Sequence, residues 1–180
     1  LLEPFSENIQ RIRPHKGQAD TAKNFRNVLA GSEMQSKDKE HIQDPYSFRC
    51  IPQVHGAVKD AVNYVAGVIE TEINSVTDNP TVFPDEDLII SGGNFHGEPL
   101  ALSLDFLAMA VSELGSISER RTNQILDPDW SNQNAFLAQN EGLESGLMIL
   151  QYVSAAVLAE MNLLANSVTT TNIPVSLGKE

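Results

Sequence analysis

Cysteine is almost missing from this chain: Cys50 is its single thiol. No disulfide can form within the chain, and a reducing, cytoplasmic location is the expectation. Basic residues are scarce, with 12 Lys and Arg against 24 Asp and Glu and a formal net charge of −12. A surface of that sign repels phosphate backbones, which argues against nucleic acid as a partner, and its plain consequence is solubility. Long uncharged runs are lacking toward the end. The stretch 145–159 is shorter than the roughly 20 residues that span a bilayer, and it contains Gln151, so no membrane partner is expected. The start lacks a secretory pattern, because Glu3, Pro4, Glu7 and Arg11 break any apolar run. The four histidines, His15, His41, His55 and His96, form no closely spaced helical pair, and Cys50 has no cysteine partner, so no metal is expected. An initiator methionine is missing, and the sequence stops at Gly178-Lys179-Glu180 straight after an apolar stretch. The expectation is therefore one segment, 1–180, of a larger domain cut at both ends.

What is present is helical patterning on 41% hydrophobic residues. Val54, Val58, Ala61, Val65, Val68, Ile69 and Ile73 recur in steps of three and four between charged residues, predicting an amphipathic helix of about five turns. Thr77-Asp78-Asn79-Pro80 ends it, and 81–83 and 88–91 read as a short hairpin. Pro99 suits the first turn of a further helix, apolar on most sides, in which Arg120 and Arg121 come late, where cations favour the helix dipole. Asp127-Pro128-Asp129 breaks the chain, and 143–165 reads as a third long helix. A shorter one is expected over 20–29. The fold class that follows is all-α, a long-helix bundle with one small β-hairpin excursion. Its helices carry more apolar surface than a lone bundle hides, so a homo-oligomer is expected.

Three places carry chemistry. In Gln43-Asp44-Pro45-Tyr46-Ser47-Phe48-Arg49-Cys50, Asp44 suits an N-cap and Pro45 a first helical residue. Gln43, Tyr46 and Arg49 are then spaced by three and fan over about a third of a helix circumference. An amide, a phenol and a guanidinium so placed favour a carboxylate, which Arg holds through paired hydrogen bonds. The alternative is a capped helix start with ordinary surface polars. Ser91-Gly92-Gly93-Asn94-Phe95-His96-Gly97 is either a turn that brings backbone N–H groups to a ligand or a sharp strand-to-helix corner; it lacks the patterns of a nucleotide site. Asp105 interrupts an apolar helix and is either a perturbed acid or a group paired with an Arg or a cap contact.

The literal strings go further. Arg13-Pro14-His15-Lys16-Gly17-Gln18, residues 43–50 with Pro52-Gln53-Val54-His55-Gly56, residues 72–80, residues 91–97 and Glu113-Leu114-Gly115-Ser116-Ile117-Ser118-Glu119-Arg120-Arg121 occur in one order and spacing that resembles the histidine ammonia-lyases. These are members of the aromatic amino acid lyase family. The resemblance implies a mainly helical fold of the ammonia-lyase and fumarase–aspartase type. It also implies a homotetramer with shared active sites, and elimination of ammonia from L-histidine to give trans-urocanate. It implies a prosthetic group, 4-methylideneimidazole-5-one (MIO), formed from an Ala-Ser-Gly that this sequence does not contain. The chain alone is therefore expected to be inactive.

Residue by residue, the resemblance implies that Arg49 binds the substrate carboxylate, Tyr46 supports elimination, Gln43 holds that neighbourhood by hydrogen bonds and Phe95 lines the pocket. Glu180, after Ile173-Pro174-Val175-Ser176, implies a substrate contact and a hand in proton handling, although Leu177-Gly178-Lys179 departs from the family pattern. A glutamate there suits an imidazole, as does the Val54-His55-Gly56 wording. Phenylalanine and tyrosine ammonia-lyases or aminomutases remain the alternative within the family. The fumarase–aspartase group is disfavoured, because only Gly31-Ser32-Glu33 echoes its signature loop. The alternative of another class is a non-catalytic helical oligomerisation piece.

Overall fold

A computed structural model of the chain describes residues 2–35 and 42–171. It sorts into two compact units, Leu1–Tyr64 and Val65–Glu180. As expected, helices dominate, and the two-stranded hairpin is the sole sheet among the described residues.

The first unit holds helices α1 (Glu7–Ile12), α2 (Lys16–Val28) and α3 (Tyr46–Arg49), and the first part of α4 (Ile51–Ile73). Its core is a cluster of Phe5, Ala22 and Ile51, with Leu2, Phe25 and Phe48 packed against it. Phe5 stacks on Phe25 at 4.6 Å between ring centroids, and Phe48 meets Phe5 edge-on at 5.2 Å. Both arrangements suit the ring quadrupole. Gln10 and Gln18 are buried but satisfied: Gln18 Nε2 donates to Gln10 Oε1, and Gln10 Nε2 donates to the Pro4 and Ser6 carbonyls.

Helix α2 begins at Lys16, four residues before the expected 20. The reason is tertiary. Its N-cap residue, His15, offers no side-chain cap, and Asp60 on α4 supplies one by accepting the Gly17 N–H at 2.7 Å. The two helices approach closely there. A methyl group built on Gly17 would fall on the Gly56 carbonyl oxygen, and one on Gly56 would fall on the Gln18 backbone. Only hydrogen fits at either position.

In the second unit, β1 (Thr81–Phe83) and β2 (Leu88–Ile90) pair antiparallel, with Thr81 opposite Ile90 and Phe83 opposite Leu88. Helix α5 runs Glu98–Leu126, α6 is the turn Pro128–Ser131, and α7 runs Met148–Leu164. Asp127 breaks the chain as expected, its carboxylate accepting the Asp129 N–H at 3.0 Å. Helix α7 starts five residues later than the expected 143. Gly146 there has φ +48° and lies so close to the Phe136 carbonyl that a side chain would collide with it, while Leu147 N–H donates to that same carbonyl at 2.8 Å.

Helices α5 and α7 form an antiparallel pair. Ser112 Oγ donates to Asn162 Oδ1 at 2.7 Å, Gln151 Nε2 donates to Asn123 Oδ1, and Met161 and Leu158 close over Gly115. As one partner's number rises the other's falls. By length and composition α5 is able to cross a membrane. The core helix of a soluble bundle meets the same description, and α5 packs against α7 along its length. Arg120 and Arg121 end short of its last turn, beyond the reach of the dipole. Arg120 instead forms a two-point pair with the buried carboxylate of Glu119, at 2.5 and 2.6 Å.

Candidate functional site

The segment 42–50 belongs to the first unit. Its helix starts one residue later than expected: Pro45 is the N-cap, without a side-chain cap bond, and Tyr46 is the first helical residue. The turn is closed by the Phe48 and Arg49 N–H groups donating to the Pro45 carbonyl, at 3.0 and 2.9 Å, and by Cys50 N–H donating to the Tyr46 carbonyl at 3.0 Å. Four residues make a negligible dipole, so the end of this helix contributes little to holding an anion.

The three site residues nevertheless meet. The Arg49 Nη1–H donates to the Gln43 side-chain oxygen, and the Arg49 guanidinium stands 5.9 Å from the centre of the Tyr46 ring. Tyr46 is 72% exposed. A guanidinium has five N–H donors, and the bond to Gln43 uses one of them, while a carboxylate is held by two in parallel. An aromatic face beside it adds a cation–π contact. The cluster therefore presents a cation, a phenolic O–H and an amide on an open surface.

Phe95 belongs to the second unit and is 61% exposed. The turn that carries it is held from both sides. Asn79 Oδ1 accepts the Ser91 hydroxyl at 2.8 Å and the Gly92 N–H at 2.9 Å. His96 N–H donates to the Gly93 carbonyl at 3.0 Å, and His96 Nδ1 accepts the Glu98 N–H at 3.2 Å. His96 thus caps the start of α5. Beside this turn lies an open groove of about 430 Å3, lined by Glu72, Thr77, Asn94, His96 and Glu98 among others. Residues 72–80 and 91–97, two strings separate in sequence, are one physical corner.

Asp105 is a cap contact, and the same contacts perturb its carboxyl toward the ionised form. One oxygen, Oδ2, accepts the Ser167 hydroxyl at 2.7 Å, the Thr169 hydroxyl at 2.5 Å, and the Val168 and Thr169 N–H groups at 3.1 and 2.9 Å. Those bonds, the Thr169 and Ser167 hydroxyls first, hold its carboxyl well below the ordinary carboxylate range. The clamp fixes the turn Thr169–Thr171 that follows α7. Glu180 and the 173–176 stretch lie outside the described residues.

Sequence reasoning did not find Asp60, Asn79 or His96 as structural groups. Each acts on a backbone group whose need for a partner appears only once the chain is folded. Among the described residues, no group of three or more His, Cys, Asp or Glu is placed to hold a metal ion.

Comparison with known proteins places these features. The chain is 46% identical to the histidine ammonia-lyase of Caldanaerobacter subterraneus subsp. tengcongensis, over all of this chain and 36% of that protein. It superposes on the crystal structure of histidine ammonia-lyase from Trypanosoma cruzi with a TM-score of 0.85 and 41% identity, over all of this chain and 33% of the other. On the tyrosine aminomutase of Streptomyces globisporus the TM-score is 0.83 with 34% identity, over 98% of this chain and 38% of the other. The chain therefore spans about a third of the length of the relatives it matches. The family model for aromatic amino acid lyases matches residues 2–180, and the chain belongs to that family.

Proposed function

We propose that this chain is part of a histidine ammonia-lyase, an enzyme that eliminates ammonia from L-histidine to give trans-urocanate. The observation that carries the reading is the cluster of Arg49, Tyr46 and Gln43, a carboxylate-binding arrangement presented at an exposed face. Histidine is favoured over phenylalanine or tyrosine because identity is higher to histidine ammonia-lyases than to the aminomutase, 46% and 41% against 34%.

In this reading Arg49 binds the substrate carboxylate through two parallel N–H donors, while Gln43 holds the guanidinium in place. The Tyr46 hydroxyl donates to, or takes a proton from, the reacting amino acid. Phe95 supplies an apolar wall, and Glu180 contacts the imidazole. Elimination in this family needs the MIO electrophile, and the Ala-Ser-Gly that forms it does not occur in the chain. The residues present therefore do not build that group, and they serve binding and proton movement only.

The parent enzyme is a homotetramer in the cytoplasm, in the same reading. Support comes from apolar side chains left exposed on α5 and α7, such as Leu102, Phe106, Met109, Val153 and Val157. Surface of that extent is normally covered by protein.

The test is direct. Full-length protein given L-histidine should release ammonia and urocanate in equal amounts, and the purified 180-residue chain should release neither. Conversion of phenylalanine or tyrosine in place of histidine would overturn the substrate assignment. Urocanate from the 180-residue chain alone would overturn the claim that it is incomplete.

A further inference from the structure

The site segment cannot hold its own orientation. Helix α3 is a single turn of four residues without a side-chain cap. A turn that short is unstable in isolation, so its direction is set by what it packs against. The apolar residue of the turn that reaches the core is Phe48. Its ring meets Phe5 edge-on at 5.2 Å and 88°. Phe5 is fully buried, stacks on Phe25 with an interplanar angle of 4°, and has its carbonyl held by Arg26 Nη1 at 2.6 Å. The base under Phe48 is therefore fixed by two rings and a charged hydrogen bond.

Helical geometry converts that anchor into the presentation of the site. Successive side chains turn by about 100°, so Tyr46 lies about 200° from Phe48 and Arg49 about 100° from it. With Phe48 turned into the core, Tyr46 must face outward, and it is 72% exposed. Arg49 falls at the edge, half-buried, where its guanidinium reaches both Gln43 and the Tyr46 ring.

We propose that Phe48 is a positioning residue for substrate recognition, acting through Arg49 and Tyr46 by locking α3 onto the Phe5–Phe25 stack. The proposal rests on the reading of Arg49 as the group that binds the substrate carboxylate. It implies that loss of the ring impairs carboxylate recognition selectively, and that another bulky apolar side chain restores it.

The experiment compares wild type, Phe48→Ala and Phe48→Leu in the full-length protein, with two readouts. The first is inhibition by urocanate, which carries a carboxylate, and by histamine, which does not. Phe48→Ala should weaken urocanate about tenfold or more and leave histamine within about twofold, while Phe48→Leu stays near wild type on both. Equal weakening of both ligands, or no weakening of urocanate, overturns the proposal. The second readout is hydrogen exchange at residues 46–50. Exchange there should accelerate in Phe48→Ala, recover in Phe48→Leu, and stay unchanged in α5 and α7. Acceleration throughout the protein would show general unfolding and overturn the local role. If wild type binds no urocanate, the proposed function fails, and exchange at 46–50 still decides whether Phe48 orients the turn.

Discussion

Single residues in this chain do work that their type alone does not announce. Gly56 sits in the Val54-His55-Gly56 string and Gly17 in the Lys16-Gly17-Gln18 string, and each has room for hydrogen only. Gly56→Ala forces α2 and α4 apart, and overpacking of that kind costs about 2–3 kcal/mol. A denaturant melt of the full-length protein checks it; stability equal to wild type would mean the crossing is looser than described. Asp105 gives a pH signature. Its carboxyl is held below the ordinary range by four hydrogen bonds, so it takes up a proton less readily folded than unfolded. Its contribution is therefore complete above the usual Asp range, and it is lost as pH falls through that range toward the folded value. Thermal melts from neutral to acid pH should show a shallower acid-side fall for Asp105→Asn than for wild type. An unchanged slope would mean the clamp on 167–169 does not depend on charge.

Elements were legible in the sequence where their cause is local. Period-three-and-four spacing marked α4, Pro99 followed by a run apolar on most sides marked α5, the short runs after the Thr77–Pro80 turn marked the hairpin, and Asp127-Pro128 marked the break after α5. Boundaries set by distant partners were not legible. The start of α2 depends on Asp60, 43 residues away from Gly17, and no local pattern records it. Asp60→Ala removes this cap and should cost about 1 kcal/mol, with faster hydrogen exchange confined to the first turn of α2. Likewise the start of α7 is set by the contact of Gly146 and Leu147 with the Phe136 carbonyl. The site followed the same rule. The spacing of Gln43, Tyr46 and Arg49 brought the three to notice, and the structure does bring them together. What escaped was the means: Phe48 reads as one more apolar residue until Phe5 and Phe25 are seen beneath it.

At the scale of the whole molecule, the chain spans about a third of the length of its relatives and leaves apolar side chains of α5 and α7 exposed. The reading proposed above accounts for the uncovered faces, because surface of that extent is normally covered by protein. The 180-residue chain, isolated, should therefore self-associate, and sedimentation velocity would show species heavier than a monomer. A clean monomer at all concentrations would mean that α5 and α7 hide their apolar faces unaided.

The central claim is that Arg49, beside Tyr46 and Gln43, holds the carboxylate of the amino acid. The kcat/KM of full-length Arg49→Ala for L-histidine tests it most directly. A lost charge-assisted pair is worth about 1.5–3 kcal/mol, so kcat/KM should fall by about 10- to 150-fold with most of the change in KM. An Arg49→Ala enzyme that turns over histidine with wild-type kcat/KM would contradict the assignment.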